Sequence, residues 1–160
     1  MIGTLSIVAK TTLTIPENPL SLQEQVCFAL AVASRSVIAL YRPVLEPLGL
    51  THPQYLVMLA LWEHEPVSVR DLSGLLQLDP GTLSPLLKRL EAAGLIRRER
   101  NPRDERALAV VLTREGRALR RKALKVPPAI VERLGMDVAE LRELQNRLTQ
   151  VIEAATRSPA

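Results

Sequence analysis

Apolar residues recur every three or four positions along most of the chain, which is the spacing of amphipathic helices. Four of these stretches open on residues of capping-box type, in which a side-chain oxygen accepts a backbone N–H one turn into the helix. The predicted caps are Ser21, Thr51, Ser68 and Asp137. The pattern predicts helices over about 21–42, 52–63, 68–77, 81–93 and 138–155, and helical structure from about 113 to 134. Pro127 and Pro128 must kink or break the 113–134 stretch, because proline removes a backbone donor.

A strand-forming pattern follows the fourth helix. Gly94 is placed to end that helix, and segments 95–100 and 108–112 are predicted strands. The intervening residues 101–106, Asn-Pro-Arg-Asp-Glu-Arg, are predicted to form the turn-rich tip of a hairpin. Two short helices joined by a tight turn and followed by a hairpin are the order of a winged helix-turn-helix. The sequence therefore predicts a mainly α fold with a small β-hairpin wing.

The first and last helices carry more apolar surface than one chain can cover. The first helix is apolar around most of its circumference, so we expect it to be buried on several sides. The last helix repeats Leu141, Leu144, Leu148 and Val151 at spacings of three and four, which is a seam for another helix. The two helices together predict a dimer.

The composition is typical of one folded domain, and its net positive charge favours an anionic partner. The chain has 160 residues, of which 47% are hydrophobic and 24% charged, and residues 1–20 are predicted to form a flexible arm. Lysine and arginine number 21 against 17 acidic residues, and the resulting net charge of +4 favours an anionic partner. Aromatic residues make up 2%, too few for platforms that stack single-stranded bases, so a nucleic-acid partner is expected to be a duplex.

Cysteine usage and apolar run lengths predict the compartment. The chain has one cysteine, Cys27, which excludes an internal disulfide, and no secretory leader is recognisable at its start. No apolar run approaches the roughly 20 residues that span a bilayer. We therefore expect a cytoplasmic protein with no membrane partner.

The fourth helix carries candidate DNA contacts. A recognition helix enters the major groove from its N-terminal end, where Thr82 and Ser84 can meet bases or phosphates. Lys88 and Arg89 lie away from the leucine face of the same helix. These four side chains are the candidate contacts from this helix.

The predicted hairpin is rich in arginine. Its arginines are Arg97, Arg98, Arg100, Arg103 and Arg106. Planar guanidinium groups suit phosphate oxygens and the electronegative floor of a narrow minor groove. The alternative is a solvated charged hairpin, because Glu99, Asp104 and Glu105 dilute the positive charge.

Several motifs together resemble one known family. They are Cys27–Leu30, Ser34–Arg35, Tyr41–Pro43, Pro53–Leu56, Leu61–His64, Leu78–Asp79, Gly81–Glu91, Gly94–Ile96 and Asp104–Arg106. In this combination, spread over about residues 21–157, the chain resembles the MarR family of regulators and specifically its organic-hydroperoxide-sensing OhrR branch. The resemblance implies a homodimer that binds a pseudo-palindromic DNA duplex and represses transcription.

The resemblance also implies a domain layout. Residues 21–160 would form a single MarR-like domain. Within it, residues 50–112 would form the winged-helix DNA-binding lobe, and residues 21–48 and 113–157 would supply the dimerisation helices. The interlocking of those helices would account for a first helix that is apolar all round.

Individual DNA contacts follow from the resemblance as well. Arg106 would enter the minor groove, with Asp104 beside it to hold the guanidinium. Thr82 would read the DNA near the start of the recognition helix, and Asp79 matches the acidic residue that opens that helix.

The resemblance gives Cys27 a redox role. An organic hydroperoxide would oxidise its thiolate to a sulfenic acid, which a small thiol would then trap, and the enlarged group could not stay buried in an apolar dimer groove. In the resembled proteins tyrosine hydroxyls hold the thiolate. Here Tyr41 is retained, whereas His52 and Ala31 occupy positions where tyrosines stand. His52 could donate to the thiolate or, when protonated, pair with it.

Other functions remain open from the residues alone. Cys27 could be an inert small hydrophobe, and the trigger could be a non-covalent apolar or phenolic ligand. A winged helix used only for protein contacts, or a peroxidase built on Cys27, are further alternatives. Cys27, His52 and His64 lack the close spacing of zinc ligands, and no phosphate-binding glycine loop or catalytic triad is recognisable, so we expect no metal, no cofactor and no enzyme.

Overall fold

A computed structural model describes residues 18, 20–101 and 104–157 of the chain, with side chains left undescribed at 101–107. The predicted arm at 1–20 lies almost wholly outside the described residues. The chain divides into two compact units, residues 1–37 and 38–160, and each is described by itself.

The first unit contains a 3₁₀ turn and the start of the first helix. The turn is Leu22–Glu24, and helix α1 runs over Val26–Leu45. The predicted capping box at Ser21 is wrong. The Ser21 side chain makes no cap hydrogen bond; its hydroxyl instead donates to Gln23 Oε1 at 3.4 Å while the backbone closes the tight turn. Regular helix therefore starts five residues later than predicted.

Helix α1 is more apolar than its short uninterrupted apolar runs indicated. By length and composition, the segment Val26–Leu48 is apolar enough to cross a membrane, which corrects the expectation that no such stretch exists. The expectation failed because it counted uninterrupted apolar runs, whereas this segment mixes large apolar residues with alanine and serine around few charges. One helix of this kind is weak evidence for a membrane segment. Leu45 is the one buried residue of α1, so most of the apolar surface of this helix is uncovered.

The second unit holds the rest of the chain. Its elements are the end of α1, a second 3₁₀ turn (Glu46–Leu48), α2 (His52–His64), β1 (Val67–Ser68), α3 (Val69–Leu76), α4 (Pro80–Ala92), β2 (Ile96–Asn101), β3 (Asp104–Leu112), α5 (Arg114–Ala123), α6 (Val126–Leu134) and α7 (Val138–Arg157). The three strands form an antiparallel sheet in the order β1-β3-β2. The two-residue strand β1 was not predicted, because so short a segment has no periodicity.

The second strand of the wing begins earlier in the sequence than predicted. Strand β2 reaches Asn101 and β3 begins at Asp104, which is its register partner. The prediction of a turn over 101–106 is therefore wrong, since Asp104–Arg106 belong to a strand. Polar residues favour turns only weakly when a partner strand can satisfy their backbone groups, as β2 does here.

The α3–α4 pair matches its prediction closely. Ser68 caps α3 by accepting the Asp71 N–H at 3.0 Å. Helix α4 buries one face, formed by Leu83, Leu86, Leu87 and Leu90, and Gly94 ends it with a φ of +71°, a conformation that favours glycine. This leucine face joins α2 and the sheet in the core, so the opposite face of α4 is presented outward.

Pro127 and Pro128 stand at the start of a helix instead of inside one. The break falls at residues 124–125, between α5 and α6, and Pro127 lies in the first turn of α6, where a missing N–H costs no helical bond. The predicted capping box before α7 is confirmed: Asp137 N donates to Glu140 Oε2 at 2.9 Å, and Glu140 N donates to Asp137 Oδ1 at 2.8 Å. Helix α7 buries none of its residues in the described chain.

Candidate DNA interface and thiol site

Asp79 and Thr82 organise the start of α4. The Asp79 carboxylate accepts the Thr82 N–H at 2.9 Å through Oδ1 and the Thr82 hydroxyl at 2.6 Å through Oδ2. The side-chain hydrogen bond from Thr82, followed by backbone N–H bonds, lowers the pKa of Asp79. Gly81 leaves room for this carboxylate, because a Cβ there would lie 2.9 Å from Oδ1. The carboxylate is therefore ionised at neutral pH and fixed against the first turn.

The outward face of α4 is polar and basic. Thr82, Lys88 and Arg89 are exposed on it, and Ser84 is half-buried at its margin. The opposite, leucine face holds the helix against the core. The structure thus brings the four predicted helix residues to one element, with three of them fully accessible.

The wing arginines differ in their surroundings. Arg97 forms an ion pair with Glu99, and Arg100 is exposed. Arg98 is half-buried, with its Nε 3.5 Å from Glu91 Oε2 on α4, a separation too long for a good hydrogen bond. Its Nε and Nη2 atoms have no hydrogen-bond partner among the described residues. Arg98 therefore lies between the wing and α4 rather than projecting freely into solvent.

The remaining wing residues are only partly covered by the structure. The backbones of Asp104 and Arg106 lie on β3, whereas their side chains lie outside the described part of the chain. Arg103 lies outside the described residues altogether. Their predicted DNA contacts stay predictions.

Cys27 is an exposed free cysteine in the first turn of α1. The expectation that it is buried therefore does not hold for one chain by itself. Burial of this thiol requires a second copy or another partner over α1. Residues 18, 20–101 and 104–157 contain no group of three His, Cys, Asp or Glu side chains that could hold a metal ion.

In the second unit, Tyr41 and His52 lie in contact. Their ring centroids are 4.9 Å apart in an edge-on arrangement, and the Tyr55 ring lies 6.0 Å from Tyr41. Burial raises the pKa of Tyr41 and lowers the pKa of His52, because both rings are partly desolvated. At neutral pH both are uncharged, so the pair offers an O–H donor and an N–H donor. Sequence reasoning placed Tyr55 only in the core.

A cavity of about 550 Å³ adjoins His52. It is lined by Ile38, Arg42, Glu46, Gly49, Leu50, Thr51, His52 and Pro53. The lining is mixed, because Arg42, Glu46 and His52 lie beside apolar residues such as Ile38 and Leu50.

A junction between α2 and α5 was missed by sequence reasoning. Glu65 accepts the Leu112 N–H at 2.8 Å and binds Arg117 through both carboxylate oxygens, at 2.8 and 2.9 Å. Trp62 Nε1 donates to the Gly116 carbonyl at 2.9 Å. These partners are about 50 residues apart in sequence, and no local pattern signals such pairs. The junction fixes the start of α5 to the end of α2.

Known proteins resemble this chain over most of its length. The model of the MarR family matches residues 50–108. The organic hydroperoxide resistance transcriptional regulator of Bacillus subtilis is 40% identical over 134 residues, which cover 84% of this chain and 91% of that protein. Among solved structures, overoxidized AbfR bound to DNA has a TM-score of 0.67 and 34% identity, covering 84% of this chain and 94% of its own. The transcriptional repressor CouR bound to a 23-mer DNA duplex has a TM-score of 0.70 and 27% identity, covering 85% and 95%. This chain therefore belongs to the MarR family.

Proposed function

We propose that the chain is a dimeric, sequence-specific DNA-binding repressor that loses its operator when an organic hydroperoxide oxidises Cys27. The observation that carries the proposal is a winged helix-turn-helix with an outward basic helix face, in a chain 40% identical to an organic hydroperoxide regulator over 84% of its length. Cys27 lies in the first turn of α1 and supplies the thiolate that the proposed reaction needs. A DNA operator places its action in the cytoplasm.

In this proposal the lobe 50–112 binds DNA. The exposed face of α4, with Thr82, Ser84, Lys88 and Arg89, enters the major groove, and Asp79 fixes its first turn. Arg106, held by Asp104, enters the minor groove beside Arg103. Arg98 lies between the wing and α4, next to Glu91. Two-fold symmetry makes the operator a pseudo-palindrome.

Uncovered helices support the proposed dimer. In α7, the exposed side chains of Leu144, Leu148 and Val151 form the predicted seam, and α1 leaves most of its apolar side chains uncovered. Large apolar side chains spaced three and four residues apart on an exposed helix are typical of a helix that packs against a partner. We assign the dimerisation role to residues 21–48 and 113–157.

The trigger is a two-step reaction at Cys27. The thiolate sulfur attacks the terminal oxygen of the hydroperoxide, the O–O bond breaks, and the alkoxide leaves as an alcohol after taking a proton. The resulting sulfenic acid condenses with a small thiol, forming a mixed disulfide and water. The chain has no second cysteine, so this thiol comes from outside it. Since AbfR is bound to DNA in an overoxidized form, added oxygen does not by itself remove that neighbour from DNA.

Tyr41 and His52 are the proposed donors to the Cys27 thiolate in the assembled dimer. The Tyr41 phenol is neutral at pH 7, and burial lowers the pKa of His52 and favours its neutral form, so both would stabilise the anion by hydrogen bonding rather than by an ion pair. His52→Ala is then expected to slow oxidation and to leave DNA affinity in the reduced state unchanged.

The test is operator binding before and after oxidation, with the mass of the protein measured in parallel. The operator is first selected from random duplex DNA. Cumene hydroperoxide alone adds about 16 Da, one oxygen. Cumene hydroperoxide followed by free cysteine adds the mixed disulfide and weakens binding by about 100-fold or more. Cys27→Ser is the matched control and stays bound under both treatments.

Two outcomes would contradict this scheme. Release of Cys27→Ser by the same treatment would mean that the peroxide acts elsewhere, and a wild-type protein that carries the mixed disulfide yet stays bound would separate oxidation from release. Turnover of hydroperoxide beyond one equivalent per cysteine would instead indicate a peroxidase rather than a regulator.

Arg106→Ala is expected to weaken operator binding by about 1–3 kcal/mol, because one groove contact is lost. The measurement is a fluorescence-anisotropy titration at two salt concentrations. Arg147→Ala is the control: it removes the same charge from an exposed position on α7, outside the lobe 50–112, and light scattering checks that this variant is still a dimer. Equal affinities of the Arg106 and Arg147 variants would show that the wing does not bind the groove.

A further inference from the structure

We propose that Thr82 recognises DNA solely as a hydrogen-bond acceptor, so that it selects a base with an exocyclic amino group in the major groove, adenine through N6 or cytosine through N4. The inference rests on the proposed DNA-binding function and adds a rule of specificity to it. It follows from which acceptors the hydrogen-bond donors of the first turn of α4 already bond to.

The hydroxyl proton of Thr82 is committed inside the protein. Thr82 Oγ1 lies 2.6 Å from Asp79 Oδ2, and Thr82 N lies 2.9 Å from Asp79 Oδ1. A carboxylate has lone pairs and no proton, so the hydroxyl must be the donor in the short contact. A hydroxyl has one proton and two lone pairs, and this one therefore faces solvent with lone pairs only. The lowered pKa of Asp79 keeps the carboxylate ionised throughout the neutral range.

The backbone of the same turn has no donor to spare for DNA. Pro80, the first helical residue, has no N–H. The N–H of Thr82 donates to Asp79 Oδ1 at 2.9 Å, and the N–H of Leu83 donates to the Asp79 carbonyl at 3.0 Å. The backbone of Gly81 also contributes to the lowered pKa of Asp79. The usual attraction of a helix N-terminus for phosphate is thus satisfied by a side chain of the protein.

A second acceptor lies on the same turn. Pro85 cannot donate to the carbonyl four residues earlier, which is that of Gly81. Gly81, Thr82 and Pro85 are all exposed. The first turn therefore leaves the Gly81 carbonyl without its usual helical donor and places the Thr82 hydroxyl oxygen beside the negative charge of Asp79. This arrangement repels phosphate oxygens and the acceptor atoms of guanine and thymine.

The base edges in the major groove then decide the choice. Guanine offers N7 and O6 and thymine offers O4, which are acceptors, whereas adenine N6 and cytosine N4 carry amino hydrogens. Only the amino groups can bond a hydroxyl that has no free proton. The competing role for a threonine is contact of its methyl group with the thymine methyl, which would favour thymine instead.

The test compares operator preferences of three proteins: wild type, Thr82→Val and Thr82→Ser. Valine keeps the shape and a methyl group but removes the hydroxyl, and serine keeps the hydroxyl. Selection from random duplexes with each protein identifies the position at which valine loses a preference that serine retains. We expect that preference to be for adenine or cytosine.

The decisive measurement removes the amino group alone. At an adenine position, purine deoxyriboside replaces adenine and lacks only N6. At a cytosine position, a pyrimidinone nucleoside lacking the N4 amino group serves the same purpose. Wild type and Thr82→Ser are expected to bind the analogue duplex about 3- to 10-fold more weakly than the natural one, as for one neutral hydrogen bond. Thr82→Val is expected to bind both duplexes equally, because the pair is already broken.

Several results would overturn the inference and leave the proposed function intact. They are a preference for guanine or thymine at the Thr82-dependent position, equal binding of both duplexes by wild type, and a uniform loss of affinity for all sequences in Thr82→Val. The last would indicate a phosphate contact. Failure of the proposed function has a different signature, since wild type would then show no sequence preference and no salt-dependent binding in the same titrations.

Discussion

Gly116→Ala is expected to destabilise the protein by about 3 kcal/mol or more, as for severe overpacking. A Cβ at Gly116 would lie 2.0 Å from the backbone oxygen of Leu95, 3.1 Å from its carbonyl carbon and 3.3 Å from Leu112 Cδ2. The first two atoms belong to backbone, so no side-chain rotation can relieve the overlap. The start of α5 would have to move away from the base of the wing, which would also strain the bond from Trp62 to the Gly116 carbonyl.

Urea unfolding measures this effect against a matched glycine. Gly74, inside α3, has open space around its Cβ position. Gly74→Ala is therefore expected to stabilise the protein by about 0.5–1 kcal/mol, the usual helical preference for alanine. If the two variants unfold at the same urea concentration, the close approach of α5 to Leu95 is not as described.

Glu65→Ala is expected to cost about 2–3 kcal/mol. The change leaves the N–H of Leu112, a buried residue, without its acceptor at 2.8 Å, and an unsatisfied buried donor costs its full desolvation penalty. It also removes both bonds to Arg117, but more than half of that side chain is exposed, so we expect little from the ion pair as such.

The control for Glu65 is another glutamate paired with an arginine. Glu143 and Arg147 form an exposed pair one turn apart on α7, with a separation of 4.0 Å. Glu143→Ala is expected to change the free energy of unfolding by less than about 0.5 kcal/mol. Equal losses in the two variants would mean that the buried N–H of Leu112 does not depend on Glu65.

Local signals predicted the recognition helix and its surroundings well. The leucine spacing of α4, the cap of α3 at Ser68 and the glycine stop at Gly94 each act within one or two turns, so the sequence displays them directly. The pairing of Asp137 with Glu140 was predicted for the same reason. Where the determining contact is local, the pattern and the structure mostly agree, and the capping box predicted at Ser21 is the exception.

Tertiary contacts account for the errors and omissions. Strand β3 extends to Asp104 because β2 lies beside it, which the turn-forming residues of the tip do not reveal. Arg98 was predicted to be a solvent-facing arginine of the wing. Its neighbour Glu91 lies on α4, and only the packing of α4 against the wing brings the two together. The 3₁₀ turn after Ser21 replaced a capping box whose residue types were present without the geometry.

At the candidate thiol site too, the sequence identified the residues, whereas their surroundings depend on tertiary structure. Family motifs identified Cys27, Tyr41 and His52, and the structure brings the last two into ring contact. The sequence could not predict that burial leaves His52 uncharged, because the pKa depends on what surrounds the ring. A neutral His52 would act on a thiolate as a hydrogen-bond donor, which is the role proposed for it.

Trp62 is the one tryptophan of the chain, and its indole N–H is bonded to the first turn of α5 at Gly116. Indole emission depends on the hydrogen bonding and hydration of that N–H, so the protein contains a built-in optical reporter of the α2–α5 junction. The fluorescence of the unlabelled protein therefore follows this junction in real time, whether the disturbance comes from denaturant, DNA or oxidant. The reporter lies in α2, and Cys27 lies in α1, so the reporting group is chemically separate from the thiol.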